Sequence, residues 1–336
     1  MKSTMNWEKQ YGRYPRDPRY GHRVGLNYKP LAKNDLYSTI DGFISNKSLS
    51  GVRALDSSDN SQTIFVIGGS AAMGYGVRNE ETVSAKLEKI INQKSTESSI
   101  KVINAACAGW ASWTELLYLA LELIHFKPKH ILQITGWNDF VHSSIGSRTS
   151  GIWYRNHDRS VEDLYQSIIG SRDLKSLVSQ QFLSSEFFNR IKHIYHTLLG
   201  KDLTMSDIRW GHQNTRYKFN PIGVDNLLEN LISSYSLCDA RSIKYHCFFQ
   251  PVIYLDNPLD LLPKYMIDWY NKYPGFGDSL SSFYSRLKLD LVENNHNFII
   301  DLSADCLFSR ECFIDHCHLS NYGNEVLAQQ IHHYVK

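Results

Sequence analysis

The fold is decided at the stretch Thr63-Ile64-Phe65-Val66-Ile67-Gly68-Gly69-Ser70. Its first five residues are apolar apart from one threonine, which is typical of a strand buried on both faces in a parallel sheet. The two glycines that follow predict a tight turn at the carboxyl end of this strand. Ser70 therefore lies at the edge of the sheet where parallel strands meet their ligands.

Strands and helices alternate on the carboxyl side of this turn. Further apolar runs predict strands at 101–105, 130–135, 245–249 and 298–302. Helical spacing and breaker residues predict helices at about 82–92, 112–126, 224–236 and 279–293, and a final helix from Ser320. This alternation predicts an α/β protein with three layers, α/β/α, in which helices cover both faces of a central, mainly parallel five-stranded sheet.

Two segments fall outside this alternation. Residues 1–60 are rich in Tyr, Arg, Pro, Asn and Ser, and we interpret them as an irregular N-terminal arm, or short edge strands, packing on the core. Residues 61–336 then form the main domain. An insertion is expected within it at about 143–221, where polar, Ser-rich and aromatic segments surround one predicted helix at about 184–198.

Composition narrows the class of protein. The 36 basic and 34 acidic side chains are interspersed and leave a net charge of +2, so no nucleic-acid surface is indicated. Six cysteines without a CxxC pair argue against structural zinc or a disulfide framework. No run approaches the roughly 20 apolar residues of a membrane span, and the N-terminus lacks the apolar core of a signal peptide. We therefore expect a cytoplasmic protein without a membrane span.

The glycine turn after the first strand allows two roles for Ser70. A serine at the tip of such a turn exposes its hydroxyl beside backbone N–H groups, as a nucleophile requires. The same residue would serve well as a helix N-cap. A phosphate loop is not supported, because the Walker pattern needs Lys and then Ser or Thr after its second glycine, whereas Gly74 is followed by Tyr75.

The next two predicted strands end in polar or flexible residues that converge on the same edge. Gly109 follows the second strand and could offer a backbone N–H, and Asn138 follows the third and could offer a side-chain amide. Together they would form an oxyanion hole near Ser70. A glycine that lets a turn bend and an asparagine that caps a helix explain the same residues without function.

The connection before the last helix reads Asp315-His316-Cys317-His318. A nucleophilic serine needs a base within hydrogen-bond reach and a group that fixes the tautomer of that base, and this segment supplies both. His316 competes with His318 for the role of base. The two histidines with Cys317 and Asp315 also allow a metal site, although no second ligand cluster with suitable spacing occurs elsewhere in the sequence.

Taken in order, these segments resemble the SGNH hydrolase superfamily, also called the GDSL esterase/lipase family. The resemblance covers about 63–142 and 313–328. Its four blocks are matched by 68–74, by 104–109, by Gly136-Trp137-Asn138-Asp139 and by 315–318. The resemblance implies a flavodoxin-like SGNH hydrolase fold without a cofactor or metal.

The resemblance also implies roles for individual residues. Ser70 would be the catalytic nucleophile, His318 its base in preference to His316, and Asp315 the acid that orients the base. The N–H groups of Ser70 and Gly109 and the amide of Asn138 would form the oxyanion hole.

Two further features bear on this resemblance. The Asp that usually precedes the serine is Gly69 here, so the name-giving Gly-Asp-Ser is absent. Residues 17–22 through 41–43 look like a leader found before the hydrolase core in some bacterial members, often associated with carbohydrate acyl groups.

The expected activity is the hydrolysis of small acyl esters, such as acetyl groups on a carbohydrate, through an acyl-enzyme. An acyltransferase using the same triad is a second hypothesis, because an alcohol can intercept that intermediate. A catalytically silent binding subunit with the same fold is a third, motivated by Gly69 and by the large insertion.

Overall fold

The computed structural model describes residues 63–94, 100–145 and 216–335, together with four short strands near the N-terminus. These four are Arg16–Asp17 (β1), Gly21–His22 (β2), Thr39–Ile40 (β3) and Phe43–Ile44 (β4). The rest of the predicted arm, most of the predicted insertion and its predicted helix lie outside the described residues. The division into arm, main domain and insertion therefore stays a prediction.

A parallel sheet forms the centre of the molecule. Its strands are Thr63–Gly68 (β5), Lys101–Asn104 (β6), His130–Thr135 (β7), Lys244–Phe249 (β8) and Ile299–Asp301 (β9). They lie in the order β6-β5-β7-β8-β9, and every neighbouring pair is parallel. This is the flavodoxin-like order, in which the chain leaves β5 for one side and returns to its other side, opening a crevice at the carboxyl ends of β5 and β7.

The N-terminal segment extends this sheet. β3 and β4 form an antiparallel pair, and β4 pairs antiparallel with β6 at Ile44 and Asn104. The parallel sheet was predicted correctly, and the structure adds these edge strands to give seven in all. The added strands cover the backbone N–H and C=O groups that β6 would otherwise expose at the edge. β1 and β2 form a separate antiparallel pair.

Helices cover the sheet on both faces. They are Ser70–Met73 (α1), Val83–Lys94 (α2), Ser112–Leu121 (α3), Trp137–Ser144 (α4), Pro221–Asp239 (α5), Ile253–Asp256 (α6), Lys264–Lys272 (α7), Phe276–Asn294 (α8) and Asn321–His332 (α9). α2 packs against α9 on one side of the sheet, and α5 packs against α3, α4 and α8 on the other. No helix in the described ranges is long and apolar enough to cross a membrane.

The core lies in the two middle strands. All residues of β5 and β7 are buried, which confirms the interpretation of their apolar runs. A fully buried side chain such as Phe65 contributes about 1.5–3 kcal/mol relative to an exposed one. The predicted helix at 112–126 is shorter in the structure. α3 ends at Leu121, and the 3-10 turn Leu123–Phe126 follows before Lys127 adopts a φ of 49°.

Candidate active site

Ser70 lies directly beyond the carboxyl end of β5. Gly68 has a φ of +149°, and a side chain there would meet the carbonyl oxygen of Ile134 in β7, so the strand can turn only with glycine at this point. Gly69 occupies the N-cap position of α1, and Ser70 is its first helical residue. Ser70 is therefore not the helix cap, and its hydroxyl is available for other contacts.

A continuous hydrogen-bond chain joins Ser70 to His318 and Asp315. The Oγ of Ser70 lies 2.7 Å from Nε2 of His318. The Nδ1 of the same imidazole lies 2.7 Å and 2.9 Å from the two carboxylate oxygens of Asp315. With the proton on Nδ1 donated to the carboxylate, Nε2 is free to accept from the serine hydroxyl. The ring of Tyr75 packs on the imidazole with centroids 4.6 Å apart.

The loop that carries Asp315 and His318 is held by its own backbone. Oδ1 of Asp315 accepts hydrogen bonds from the N–H groups of Cys317 and His318, both at 3.0 Å. Such turns are favoured by aspartate, whose short side chain reaches the N–H groups two and three residues on. An antiparallel bridge between Phe313 and Leu319 closes the loop. The spacing of three residues therefore brings the carboxylate of Asp315 back to its histidine.

The carboxylate of Asp315 is held in its charged form. Burial alone would raise its pKa, but the nearby His318 and His316 and the hydrogen bonds from His318 and Cys317 bring the pKa well below its usual range. A carboxylate that stays charged can orient an imidazole and stabilise the imidazolium that forms when the base takes a proton.

Gly109 lies in the loop after β6, which is tied to the turn before Ser70. The N–H of Cys107 donates to the carbonyl oxygen of Gly68 at 3.0 Å. Gly109 has a φ of 82°, which favours glycine. Among the described residues, neither the N–H of Gly109 nor that of Ser70 has a hydrogen-bond acceptor, so both can donate to a substrate oxygen.

Asn138 lies in the first turn of α4, just beyond the end of β7. The N-cap of that helix is Gly136, with a φ of 114°, so Asn138 does not serve as the cap. Its Nδ2 donates to the carbonyl oxygen of Trp110 at 2.6 Å. An amide nitrogen carries two protons, so one N–H remains for a further acceptor after this bond fixes the side chain.

Gly69, which stands where Gly-Asp-Ser has its Asp, lies against the side chain of Asn138. A Cβ on Gly69 would lie 2.5 Å from Nδ2 of Asn138 and 3.0 Å from the carbonyl oxygen of Trp110. The first distance is shorter than real Cβ atoms show, so a larger residue would displace the amide. In this chain the amide of Asn138 packs directly on the backbone beside Ser70.

Asp139, next to Asn138, joins α4 to the start of α3. Its carboxylate accepts from the hydroxyl of Ser112 at 2.6 Å and from the N–H of Ser112 at 3.2 Å. Burial raises the pKa of Asp139 to about 6, although the hydrogen bonds from Ser112 and Thr135 oppose the shift. The bonds link the loop that holds Gly109 to the helix that holds Asn138.

A second buried carboxyl group, Glu115, lies beside this link. It accepts from the amide of Gln133 at 2.6 Å and lies 3.3 Å from the hydroxyl of Thr135. Burial, followed by the charge of Asp139, raises the pKa of Glu115 well above its usual range. Sequence reasoning missed Glu115 and the role of Asp139. A charged residue within the apolar spacing of a helix was the available signal.

The segment 315–317 also brings three metal-binding side chains together. Ligand atoms of Asp315, His316 and Cys317 all lie within 4.8 Å of one another. However, both oxygens of Asp315 already accept from His318. Burial raises the pKa of the Cys317 thiol well above its usual range. The donor set suits a hydrogen-bonded acid and base better than a metal.

Known proteins resemble this chain in structure but not in sequence. No family model and no curated protein matches the sequence. Among solved structures, an acetyl xylan esterase matches at 13% identity and a TM-score of 0.45, covering 82% of this chain and all of its own. A lipase/acylhydrolase from Enterococcus faecalis matches at 15% identity and a TM-score of 0.44, covering 81% of this chain and 94% of its own.

A psychrotrophic esterase from Pseudoalteromonas sp. matches at 15% identity and a TM-score of 0.39, covering 82% of this chain and 95% of its own. Similarity at such low identity speaks only to the fold. The chemistry of the site depends on the residues of this chain.

Proposed function

We propose that this chain is an ester hydrolase of the SGNH type that forms an acyl-enzyme on Ser70. The observation that carries this proposal is the hydrogen-bond chain from Asp315 through His318 to the hydroxyl of Ser70. A serine hydroxyl is a weak nucleophile unless an adjacent base removes its proton. The three hydrogen-bonded side chains supply such a base, and a charged carboxylate holds its ring.

The reaction begins when Oγ of Ser70 attacks the ester carbonyl carbon. Its proton passes to Nε2 of His318, and the carboxylate of Asp315 stabilises the imidazolium. The tetrahedral intermediate then collapses, the carbon–oxygen bond to the alcohol breaks, and His318 returns the proton to the departing oxygen. In the second half of the reaction, water gives a proton to His318 and attacks the acyl carbon, and the bond to Ser70 breaks to release the acid.

The negative oxygen of the tetrahedral intermediate needs hydrogen-bond donors. The proposed donors are the N–H groups of Ser70 and Gly109 and the second N–H of the Asn138 amide. Removing one such donor typically costs about 2.7–4 kcal/mol of transition-state stabilisation. The bond from Asn138 to Trp110 supports this assignment, because an amide fixed before reaction needs no reorganisation during it.

The proposed substrates are small acyl esters, with acetyl groups on a carbohydrate as the leading case. The likeness of residues 17–22 and 41–43 to a leader associated with carbohydrate acyl groups supports the carbohydrate. Acyl transfer is the second candidate, because the same acyl-enzyme can react with an alcohol when the site excludes water. Product analysis in the presence of a sugar acceptor distinguishes the two.

The direct test uses p-nitrophenyl esters of increasing acyl length together with a fluorophosphonate probe. We expect wild type to hydrolyse the acetate and to be labelled, and Ser70→Ala to lose at least about a thousandfold in kcat and all labelling. Ser236→Ala, which changes an exposed serine of α5, is the control and should behave as wild type. A folded wild type that is neither labelled nor active would favour the silent binding subunit instead.

A further inference from the structure

His316 is a polar side chain beside the proposed acid and base that the proposed reaction does not use. Its imidazole stacks on Trp269 of α7, with centroids 4.2 Å apart and planes 14° apart. Trp137 of α4 lies 5.0 Å from it. These two indoles fix the orientation of the ring.

The edge of this ring is available for a ligand. His316 is partly exposed, whereas the two residues after it are buried. Its ring nitrogens make no hydrogen bond within the described part of the chain. The imidazole centroid lies 6.2 Å from that of His318. A fixed polar group without a hydrogen-bond partner in the described part of the chain therefore lies next to the proposed base.

The protonation state of His316 limits what it can bind. Burial lowers its pKa to about 4, because the loss of water outweighs the opposing effect of Asp315. At neutral pH the ring is uncharged, so one nitrogen donates a hydrogen bond and the other accepts one. A hydroxyl group, which also donates and accepts, suits such a ring, whereas a carboxylate or a phosphate would call for a cation.

The position of His316 indicates which half of the ester it meets. In the proposed reaction His318 returns its proton to the oxygen of the departing alcohol. A group on the same loop, 6.2 Å from the ring of His318, is within reach of a hydroxyl one or two carbons from that oxygen.

We propose that His316 is a specificity-determining residue that hydrogen-bonds a hydroxyl of the alcohol half of the substrate, so that acyl esters of polyhydroxylated alcohols are preferred. This assignment rests on the proposed function. It goes further because it names the side chain that selects the alcohol and the chemical group that this side chain recognises.

A matched pair of acetates tests the assignment. 2-Hydroxyethyl acetate and propyl acetate share the acyl group and are nearly equal in size, but only the first carries a hydroxyl beside the ester. We expect wild type to favour the hydroxyl ester in kcat/KM. His316→Phe keeps a ring against Trp269 but removes both nitrogens, and should lower this preference by about fivefold to tenfold, as expected for one lost hydrogen bond.

Two further variants serve as the control and as the replacement variant in this test. His333→Phe, at an exposed position after α9, is the control and should keep the wild-type ratio. If His316→Phe does not fold, as judged by circular dichroism, His316→Met replaces it, because a flexible thioether packs well against an indole. The same loss of preference is expected from His316→Met.

The outcomes separate this proposal from the one it rests on. A wild type that hydrolyses both esters, with a ratio unchanged in the folded His316 variant, would overturn the role of His316 while leaving the proposed function intact. A wild type with no Ser70-dependent hydrolysis of either ester would overturn both.

Discussion

A side chain at position 69 would force its neighbours to move, although the backbone dihedral angles of Gly69 would allow one. The φ of Gly69 is −82°, which every residue adopts, so conformation alone does not require glycine. The obstacle is the amide of Asn138, 2.5 Å from the place where a Cβ would lie. In this chain the residue before Ser70 and the side chain of Asn138 are therefore in direct contact.

This contact predicts the effect of restoring the usual aspartate. Gly69→Asp should displace Asn138, the proposed oxyanion donor, from Trp110. We expect kcat to fall by about 10-fold to 100-fold with little change in KM, because such a donor acts mainly in the transition state. Steady-state kinetics on an acetyl ester provides the measurement.

A double-mutant cycle checks that the loss acts through Asn138. In an Asn138→Ala background, Gly69→Asp should cost little more than Asn138→Ala alone. Full additivity of the two losses would show that the aspartate acts elsewhere, for example on the turn itself.

At the scale of elements, two buried carboxyl groups hold α3, α4 and β7 together. The hydroxyl oxygen of Thr135 in β7 lies 3.4 Å from a carboxyl oxygen of Asp139 and 3.3 Å from one of Glu115. A hydroxyl has only one proton, so Thr135 cannot donate to both carboxyl groups. The raised pKa of Glu115 favours its protonated form, which can donate to Thr135 while Thr135 donates to Asp139. The helices beside Ser70 are thus joined by a polar network inside the core.

The protonated form of Glu115 leads to a specific prediction for substitutions at this position. Glu115→Gln keeps a donor and an acceptor of the same shape, so it should change the free energy of unfolding by less than about 1 kcal/mol at pH 7. Glu115→Leu leaves Gln133 and Thr135 without this partner and should cost about 1–3 kcal/mol. Urea unfolding of both variants decides the matter, and an equally large loss in Glu115→Gln would mean that Glu115 is charged.

At the scale of the whole molecule, the carboxyl ends and the amino ends of the parallel strands lie in different environments. The carboxyl ends of the strands carry Ser70, Asn138 and the network below them. The amino end of β7 begins with His130, which is fully buried and has no hydrogen-bond partner on either ring nitrogen among the described residues. Burial, reinforced by the charges of nearby Lys244, His246 and Lys129, lowers the pKa of His130 to about 3.

This buried histidine predicts a loss of stability in acid. Between its unfolded pKa of 6.5 and its folded pKa of about 3, His130 is neutral when folded and protonated when unfolded. The unfolded state then binds more protons, so the stability from this group is complete above pH 6.5 and falls as the pH drops.

His130→Val should remove this contribution, whose slope reaches at most about 1.4 kcal/mol per pH unit. Urea unfolding from pH 7 to pH 4 measures the difference between the variant and wild type, and the same change at the exposed His125 is the control. The lowered pKa of His246 leaves some acid sensitivity in either protein. Parallel curves for His130→Val and wild type would contradict the assignment.

Much of the fold was readable from the chain because its decisive signals are local. An apolar run such as 63–67, followed by two glycines, marks a buried strand and its turn without knowledge of any partner. The five parallel strands were predicted for this reason. Helix ends were predicted less well: α8 begins at Phe276, with Gly275 as its N-cap, three residues before the predicted start at about 279.

Local signals did not decide the roles of the site residues, because each of these residues also had a structural explanation. Ser70 could cap a helix, and His316 could compete with His318. The four blocks in order favoured a nucleophile and a base through their resemblance to a family. The bond between Ser70 and His318 joins residues 248 positions apart, and no local pattern encodes such a distance.

Long-range packing decided the remaining features. The contact between Gly69 and Asn138, the raised pKa of Glu115 and the edge of His316 that makes no hydrogen bond among the described residues each depend on side chains from separate elements. Burial and neighbouring charge set the behaviour of these groups, and both arise only when the sheet and its helices close around them. The chain specifies which strands form and where they turn, whereas the packed structure specifies which polar groups have partners and which do not.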